Sequence, residues 1–302
     1  NPDRVEVSDR FTLLKVGRWA KQHKVASLVF SHETLNGLVR KYAPFIPASI
    51  RNKFVNWHNA KLAATFDNVI ATTDFAATEF VRIKTNNLRK VALGVDLIGF
   101  NPENRNYKLR KELLKGAEFL LVHCGRMSPE KQPERSVQAL AELIKRGVNA
   151  RLIIVGGGPL WNKVRKQSTG LPVDMVGYIA SRQKVADYLA AADLAIAPGP
   201  LETFCLSALE SLASGTPVVA SKSSAVGEIL NVNSIKAAGA VAADDGLSFA
   251  NEIIKLLDKG NLRKVARNQA EQYSWENTID AMLDIHGAKQ PMVTTKRRLK
   301  AA

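Results

Sequence analysis

Leu194-Ala195-Ile196-Ala197-Pro198-Gly199-Pro200-Leu201-Glu202-Thr203-Phe204-Cys205-Leu206-Ser207-Ala208-Leu209-Glu210-Ser211-Leu212-Ala213-Ser214-Gly215-Thr216-Pro217-Val218-Val219-Ala220 is the stretch that decides the fold. It opens on a short apolar run, Leu194 to Ala197, which reads as a strand because a breaker follows at once. After the loop, Leu206 to Ser214 reads as a helix. Gly215 fits the position just past a helix end, and Pro217 starts the next apolar run, Pro217 to Ala220. Strands that are apolar throughout, joined by a helix, belong to parallel sheets covered on both faces.

Outward from this unit the same alternation recurs. Val25 to Phe30, Asn68 to Thr72, Glu118 to Cys124, Ala150 to Val155 and Val173 to Gly177 read as further strands. Glu134 to Lys145 and Val185 to Ala191 read as helices between them. The class is therefore α/β, with two consecutive doubly wound, Rossmann-like domains facing a cleft. The rhythm breaks between Lys90 and Arg110, at Leu93-Gly94-Val95-Asp96 and Asn101-Pro102, so the domains are expected at 1–109 and 110–302.

Composition fits that picture. The chain has 302 residues, 46% hydrophobic and 24% charged, which excludes wholesale disorder and low-complexity architecture. No run approaches the ~18 apolar residues of a spanning helix, and no signal segment opens the chain, so a cytoplasmic address is the expectation. Cys124 and Cys205 form no CxxC pair and the five histidines show no ligand spacing, so neither a metal nor a cofactor is expected.

The net charge of +15 is unevenly spread. Residues 1 to 110 carry 18 basic and 9 acidic residues, a net +9, and residues 111 to 288 a net +1. The tail adds Lys289, Lys296, Arg297, Arg298 and Lys300 with no acid. Nucleic acid is an expected non-partner, because the excess lies away from the motif-bearing domain and no recognition motif appears. Ala48 to Thr65 reads as a helix with Ile50, Phe54, Trp57 and Lys61/Leu62 on one stripe, flanked by Arg40, Lys41, Arg51 and Lys53. Such a helix can lie on an anionic membrane surface. It can equally pack its stripe on its own domain, as most amphipathic helices do.

In open α/β sheets, ligands bind outside the carboxyl ends of the strands, and four loops leave those ends here. Gly125-Arg126-Met127-Ser128-Pro129-Glu130-Lys131 offers a planar fork and a point charge suited to a diphosphate. Gly156-Gly157-Gly158-Pro159 lets backbone N–H groups approach a ligand, or makes a simple tight turn. Trp161 spoils any G-x-G-x-x-G, which disfavours a dinucleotide. Val176-Gly177-Tyr178-Ile179 could hold a nucleobase by its backbone. In the loop that opens this section, Glu202 precedes the N–H groups of the helix's first turn. Glu210 interrupts an otherwise apolar helix, where a cleft-facing carboxylate can clamp a diol.

Together these loops resemble the retaining glycosyltransferases of the GT-B fold. The likeness spans essentially the whole chain. It rests on Leu93-Gly94-Val95-Asp96 with Phe100 and Pro102, Gly125-Arg126 with Glu130-Lys131, Glu202 and Glu210 as an E-x7-E pair, Ser214 to Val219, and Tyr273-Ser274-Trp275. A closer likeness is to actinobacterial GDP-mannose-dependent mannosyltransferases that extend phosphatidylinositol mannosides. It is carried by Val5 to Arg10, Ser31-His32-Glu33, His123 to Arg126 and Ala197 to Pro200. By what the resemblance implies, Arg126 and Lys131 hold the donor diphosphate and Glu210 the ribose. Glu202, with Thr203, Phe204, Cys205 and Leu206, grips the transferred sugar. Gly125, Gly157 and Val176 complete the donor site, and His32 faces the reacting sugar. The expected reaction moves mannose from GDP-mannose to a hydroxyl of a lipid or glycan acceptor, with retention, without a metal, at the inner face of the plasma membrane.

The sequence departs from the family in two places. Cys205 stands where glycine is common. Asp3 to Val7 looks like the family's fourth strand, so the first domain is expected to lack its opening strands and their glycine-rich loop. A donor based on UDP, and a sugar-nucleotide-binding remnant without turnover, stay open at this level.

Overall fold

The computed structural model describes residues 2–287. The basic tail from Lys289 to Lys300 and the end of the second expected domain lie outside them. The first part of the chain runs β1 (Arg4–Val7), α1 (Leu14–Gln22), β2 (Ala26–Ser31), α2 (Leu35–Tyr42), α3 (Ala48–Thr65), β3 (Asn68–Ala71), α4 (Asp74–Arg82) and β4 (Leu88–Lys90). These strands form one parallel sheet in the order β1-β2-β3-β4.

Period-two alternation sends neighbouring residues of each strand to opposite faces. Val29 and Val69 pack with Val7, Leu62, Phe66 and Phe80 under α3 and α4. Leu28 and Ile70 pack with Val91 on the other face, which is covered from far along the chain by Ala281, Met282 and Ile285. The final helix thus returns to the first sheet.

The second part runs α5 (Tyr107–Leu114), β5 (Phe119–Cys124), α6 (Glu134–Lys145), β6 (Ala150–Val155), α7 (Trp161–Gln167), β7 (Val173–Gly177), α8 (Arg182–Ala191) and β8 (Leu194–Ala197). It continues through α9 (Leu206–Ala213), β9 (Val218–Ser221), α10 (Val226–Ile229), β10 (Gly239–Ala242), α11 (Gly246–Asp258), α12 (Arg263–Ala270) and α13 (Trp275–Ile285). All six strands are parallel, in the order β10-β9-β8-β5-β6-β7. The chain winds outward from β5 to β7, then returns to the other side of β5 with β8. The fold class read from the sequence, two parallel α/β sheets, is the fold observed.

Strands β4 and β10 were not legible. Leu88-Arg89-Lys90 is a three-residue edge with two charges, and Gly239-Ala240-Val241-Ala242 has almost no side chain to read. Gly239 is there for packing, since a Cβ would stand 2.0 Å from the Val218 carbonyl oxygen.

Helix α3 has the expected bounds and a different buried face. Val55, His58, Asn59 and Leu62 point inward, whereas Ile50 is 59% exposed, Phe54 45% and Trp57 58%. Of the stripe read from the sequence, only Leu62 is buried, so packing of the stripe on its own domain is corrected. The inner face carries polar groups that hydropathy cannot assign. Asn59 donates to Glu79 (3.0 Å) and accepts from Arg10, and all three residues are buried.

Candidate active site

Because the strand order reverses between β5 and β8, the loops leaving those two strands splay apart and open a crevice. A small cavity of about 100 Å³ sits there, lined by His123 to Arg126 from the first loop, Pro198 and Gly199 from the second, and Lys131, Glu202 and Cys205. Next to it a cavity of about 300 Å³ reaches the first sheet, lined by His32, Thr72, Leu93, Lys131 and Glu202 to Ser207. A third, of about 290 Å³, is shared by Arg126, Lys131 and Glu202 with His32, Thr34 and Leu38.

A larger cavity, about 770 Å³, lies elsewhere, at the amino ends of the strands. There Arg105, Arg110 and Arg263 donate to the carbonyls of Ala190, Ala191 and Ala192 at the end of α8, and two of them also reach Asp193. Those cations are engaged in holding a helix end, and we assign that cavity no chemistry.

At the crevice Lys131 Nζ and Glu202 Oε1 are 2.5 Å apart. The cation and carboxylate predicted on separate loops therefore meet as one ion pair between α6 and α9. Arg126 is exposed, and among the described residues it makes no ion pair.

The glycine turn has a packing reason. Cβ atoms on Gly156 and Gly158 would stand 1.9 Å from the Gly125 carbonyl and 2.5 Å from that of Met127. These two glycines let the turn lie directly on the Arg126 loop, and Met127 N–H donates to the Gly157 carbonyl (2.9 Å). Gly157 itself has open space around its Cα and lies near the side chain of Tyr178.

Glu210 is half-buried on α9, with Arg182 3.7 Å away. Burial pushes its carboxyl above the usual range, Arg182 opposes that shift and Asp96 adds to it. Val176 and Tyr178 leave the end of β7 exposed. Cys205 caps α9 with φ +82°, a left-handed conformation that favours glycine. The departure noted in the sequence falls on a backbone position that explains why glycine is common there.

His32 begins the loop after β2, stacked on Phe30 at 5.4 Å, and burial lowers its pKa. Its carbonyl accepts from Thr203 Oγ1 (2.5 Å), and the Thr203 carbonyl accepts from Thr72 and Thr73 hydroxyls (3.1 and 2.8 Å). The Glu228 carboxylate also accepts from Asp74 and Phe75 N–H at the start of α4 (2.8 and 2.7 Å). These contacts bring the His32 loop against the Glu202 loop. Arg10 fixes the other side of that loop by donating to the Glu33 carbonyl (3.0 Å), while Glu79 accepts from Leu35 and Asn36 N–H.

Thr72 and Ser207 were not singled out as site residues in the sequence, although Thr72 follows a strand and Ser207 lies in the first turn of a helix. Only the facing sheet shows that they line a cleft. Among the described residues, no three His, Cys, Asp or Glu side chains stand together so as to hold a metal ion.

Comparison with known proteins gives a consistent result. The model for the family "Glycosyl transferases group 1" matches residues 104–273. A GDP-mannose-dependent alpha-(1-6)-phosphatidylinositol dimannoside mannosyltransferase of Mycobacterium tuberculosis is 44% identical over 289 residues, covering 95% of this chain and 74% of that protein. A D-inositol 3-phosphate glycosyltransferase of Saccharomonospora viridis is 29% identical, covering 75% of this chain and 56% of that protein.

Among solved structures, HepE of Anabaena in complex with UDP superposes with a TM-score of 0.78 at 18% identity, covering 95% of this chain and 79% of that one. Sucrose-phosphate synthase of Thermosynechococcus elongatus gives 0.74 at 22% identity, covering 94% and 73%. At those identities the structures establish the fold, two parallel sheets about a cleft as in GT-B enzymes. The family match over more than half the chain and the mycobacterial relative establish the rest: the chain belongs to the group 1 glycosyl transferases and is a glycosyltransferase.

Proposed function

We propose that this enzyme transfers mannose from GDP-mannose to a hydroxyl of a phosphatidylinositol mannoside-like lipid, with retention at the anomeric carbon. The observation that carries the reading is the Lys131–Glu202 pair at the β5/β8 crevice, with Arg126 exposed beside it. The mycobacterial relative's name supplies the donor and the acceptor class. In this reading the two units, 1–109 and 110–302, divide the work between acceptor and donor.

As the bond from the anomeric carbon to the diphosphate breaks, negative charge grows on the leaving oxygen. Arg126, Lys131 and the first N–H groups of α9 are fixed donors aimed at that charge. The acceptor oxygen bonds to the anomeric carbon on the same face, and its proton passes to the departing phosphate. Glu202 keeps Lys131 in place and takes hydroxyls of the sugar, together with Thr203 to Leu206. Glu210 takes the ribose, Gly125, Gly157 and Val176 line the nucleotide, and His32 faces the reacting sugar.

We further propose that the enzyme works attached to the anionic inner face of the plasma membrane. Ile50, Phe54 and Trp57 form an exposed face of α3, extended by Tyr42 and Phe45. Lys61 stands over the Trp57 ring at 5.0 Å. Among the described residues, no helix is long and apolar enough to cross a membrane.

Thermal shift with GDP, UDP and ADP, followed by transfer of labelled mannose to phosphatidylinositol mannosides in vesicles, tests the reading. A shift with GDP alone and labelled lipid product are expected. Equal shifts with all three nucleotides, or no labelled product, would overturn it.

A further inference from the structure

We infer that His123 Nε2–H is a preset hydrogen-bond donor for a diphosphate oxygen of the bound nucleotide sugar, and that Ser136 holds it in that role. His123 lies near the end of β5 and is 2% exposed. Its Nδ1 is 2.9 Å from Ser136 Oγ, on the first turn of α6. Among the described residues its Nε2 has no hydrogen-bond partner. That nitrogen lies beneath the Arg126 loop, since a Cβ on Gly125 would stand 3.8 Å from it. The cavity it borders holds Arg126 and Lys131, both cations.

Hydrogen-bond accounting decides the tautomer. Ser136 is completely buried, and among the described residues the contact to His123 is the only hydrogen bond its hydroxyl makes. If Nδ1 carried the proton, the serine O–H would be left as a buried donor with no acceptor, which is costly. The hydroxyl therefore donates to Nδ1, and the ring proton sits on Nε2, the buried nitrogen of a residue that lines the cavity. Burial, reinforced by the charge of Lys131, lowers the His123 pKa to about 4, so the ring stays neutral near pH 7. A neutral donor adds direction beside two cations without adding a third charge. A buried, unpartnered N–H is satisfied only by an acceptor entering the cavity, and a diphosphate oxygen, drawn in by the neighbouring cations, is such an acceptor.

The inference rests on the nucleotide-sugar reading, and the experiment separates the two. Calorimetry measures GDP and GDP-mannose binding to wild type, His123→Phe, His123→Gln and Ser136→Ala, with a melting curve for each. We expect His123→Phe to weaken both ligands about tenfold, with a melting temperature lowered because the buried Ser136 hydroxyl loses its acceptor. His123→Gln, whose amide N–H can reach the Nε2 position, stays within about threefold. Ser136→Ala falls between them. The ¹⁵N spectrum of wild-type His123 shows the proton on Nε2, which gives a readout even where a variant fails to fold.

GDP binding unchanged in a folded His123→Phe would overturn the inference, as would a proton found on Nδ1. So would a Gln variant as weak as the Phe variant. Weakened GDP-mannose with unchanged GDP would move the contact to the sugar and defeat the diphosphate assignment. If wild type binds no GDP at all, the reading of function fails first.

Discussion

Helices α3 and α9 both look amphipathic with misplaced polar residues, and the structure resolves the two in opposite ways. In α9 the apolar positions are inside, as Ala208, Leu209, Leu212 and Ala213 show, and the odd carboxylate, Glu210, is half-buried beside Arg182. In α3 the largest apolar residues are outside, and polar His58 and Asn59 are inside. In the proposed function the polar residue of α9 takes ligand. In α3 it belongs to an internal network, Arg10–Asn59–Glu79, that anchors the His32 loop. The difference is one of layers: α9 lies between its sheet and α12, with its first turn at the cleft, whereas α3 lies between its sheet and solvent.

The largest expected effect tests the cleft side of that comparison. Lys131→Ala leaves the nearly buried Glu202 carboxylate without its partner and removes a donor aimed at the leaving group. Mannosyl transfer should fall by about 10²–10³ in kcat/KM, far more than folding suffers. Steady-state kinetics within a few-fold of wild type would remove Lys131 from the chemistry.

Next comes the inner face of α3. Leu62→Ala opens a cavity under the helix, where Leu62 meets Val29, Val69 and Phe80, and should cost about 3 kcal/mol in urea unfolding. A cost no greater than that of Trp57→Gln would break the inside–outside assignment.

A smaller effect is expected of Glu210→Gln. The amide keeps the shape of a carboxyl whose pKa burial already raises, so the fold should hold. Loss of a charged diol clamp should weaken GDP binding about tenfold, ~1.5 kcal/mol, by calorimetry. Glu202→Gln should lower turnover more than binding, and equal effects of both on GDP would erase the division of roles.

The smallest change in stability belongs to the outer face of α3. Trp57→Gln with Lys53→Gln and Lys61→Gln should shift unfolding by no more than about 0.5 kcal/mol. The same change should weaken sedimentation with anionic vesicles, because each basic residue near such a surface contributes ~1 kcal/mol. Binding to neutral vesicles should be slight throughout. Unchanged sedimentation with anionic vesicles would leave the exposed aromatics without that role.

The sequence by itself determined the class of fold. Continuous apolar strands such as Leu194–Ala197 can be buried only between two layers of helices, and the Gly215–Pro217 punctuation sets where one helix stops and the next strand begins. It also determined which residues share a strand end, because loop chemistry is local: Arg126 and Lys131 on one loop, Glu202 ahead of α9.

Only the tertiary structure decided who meets whom. The Lys131–Glu202 pair joins residues 71 positions apart, and Thr203 reaches His32 across 171. Periodicity states that a helix has two faces without stating which one the fold covers. For α3 the covered face was the one on which Asn59 finds partners, and those partners, Arg10 in the loop after β1 and Glu79 on α4, come from other segments of the chain. Contacts of that kind depend on where distant segments stop in space, which no local pattern encodes.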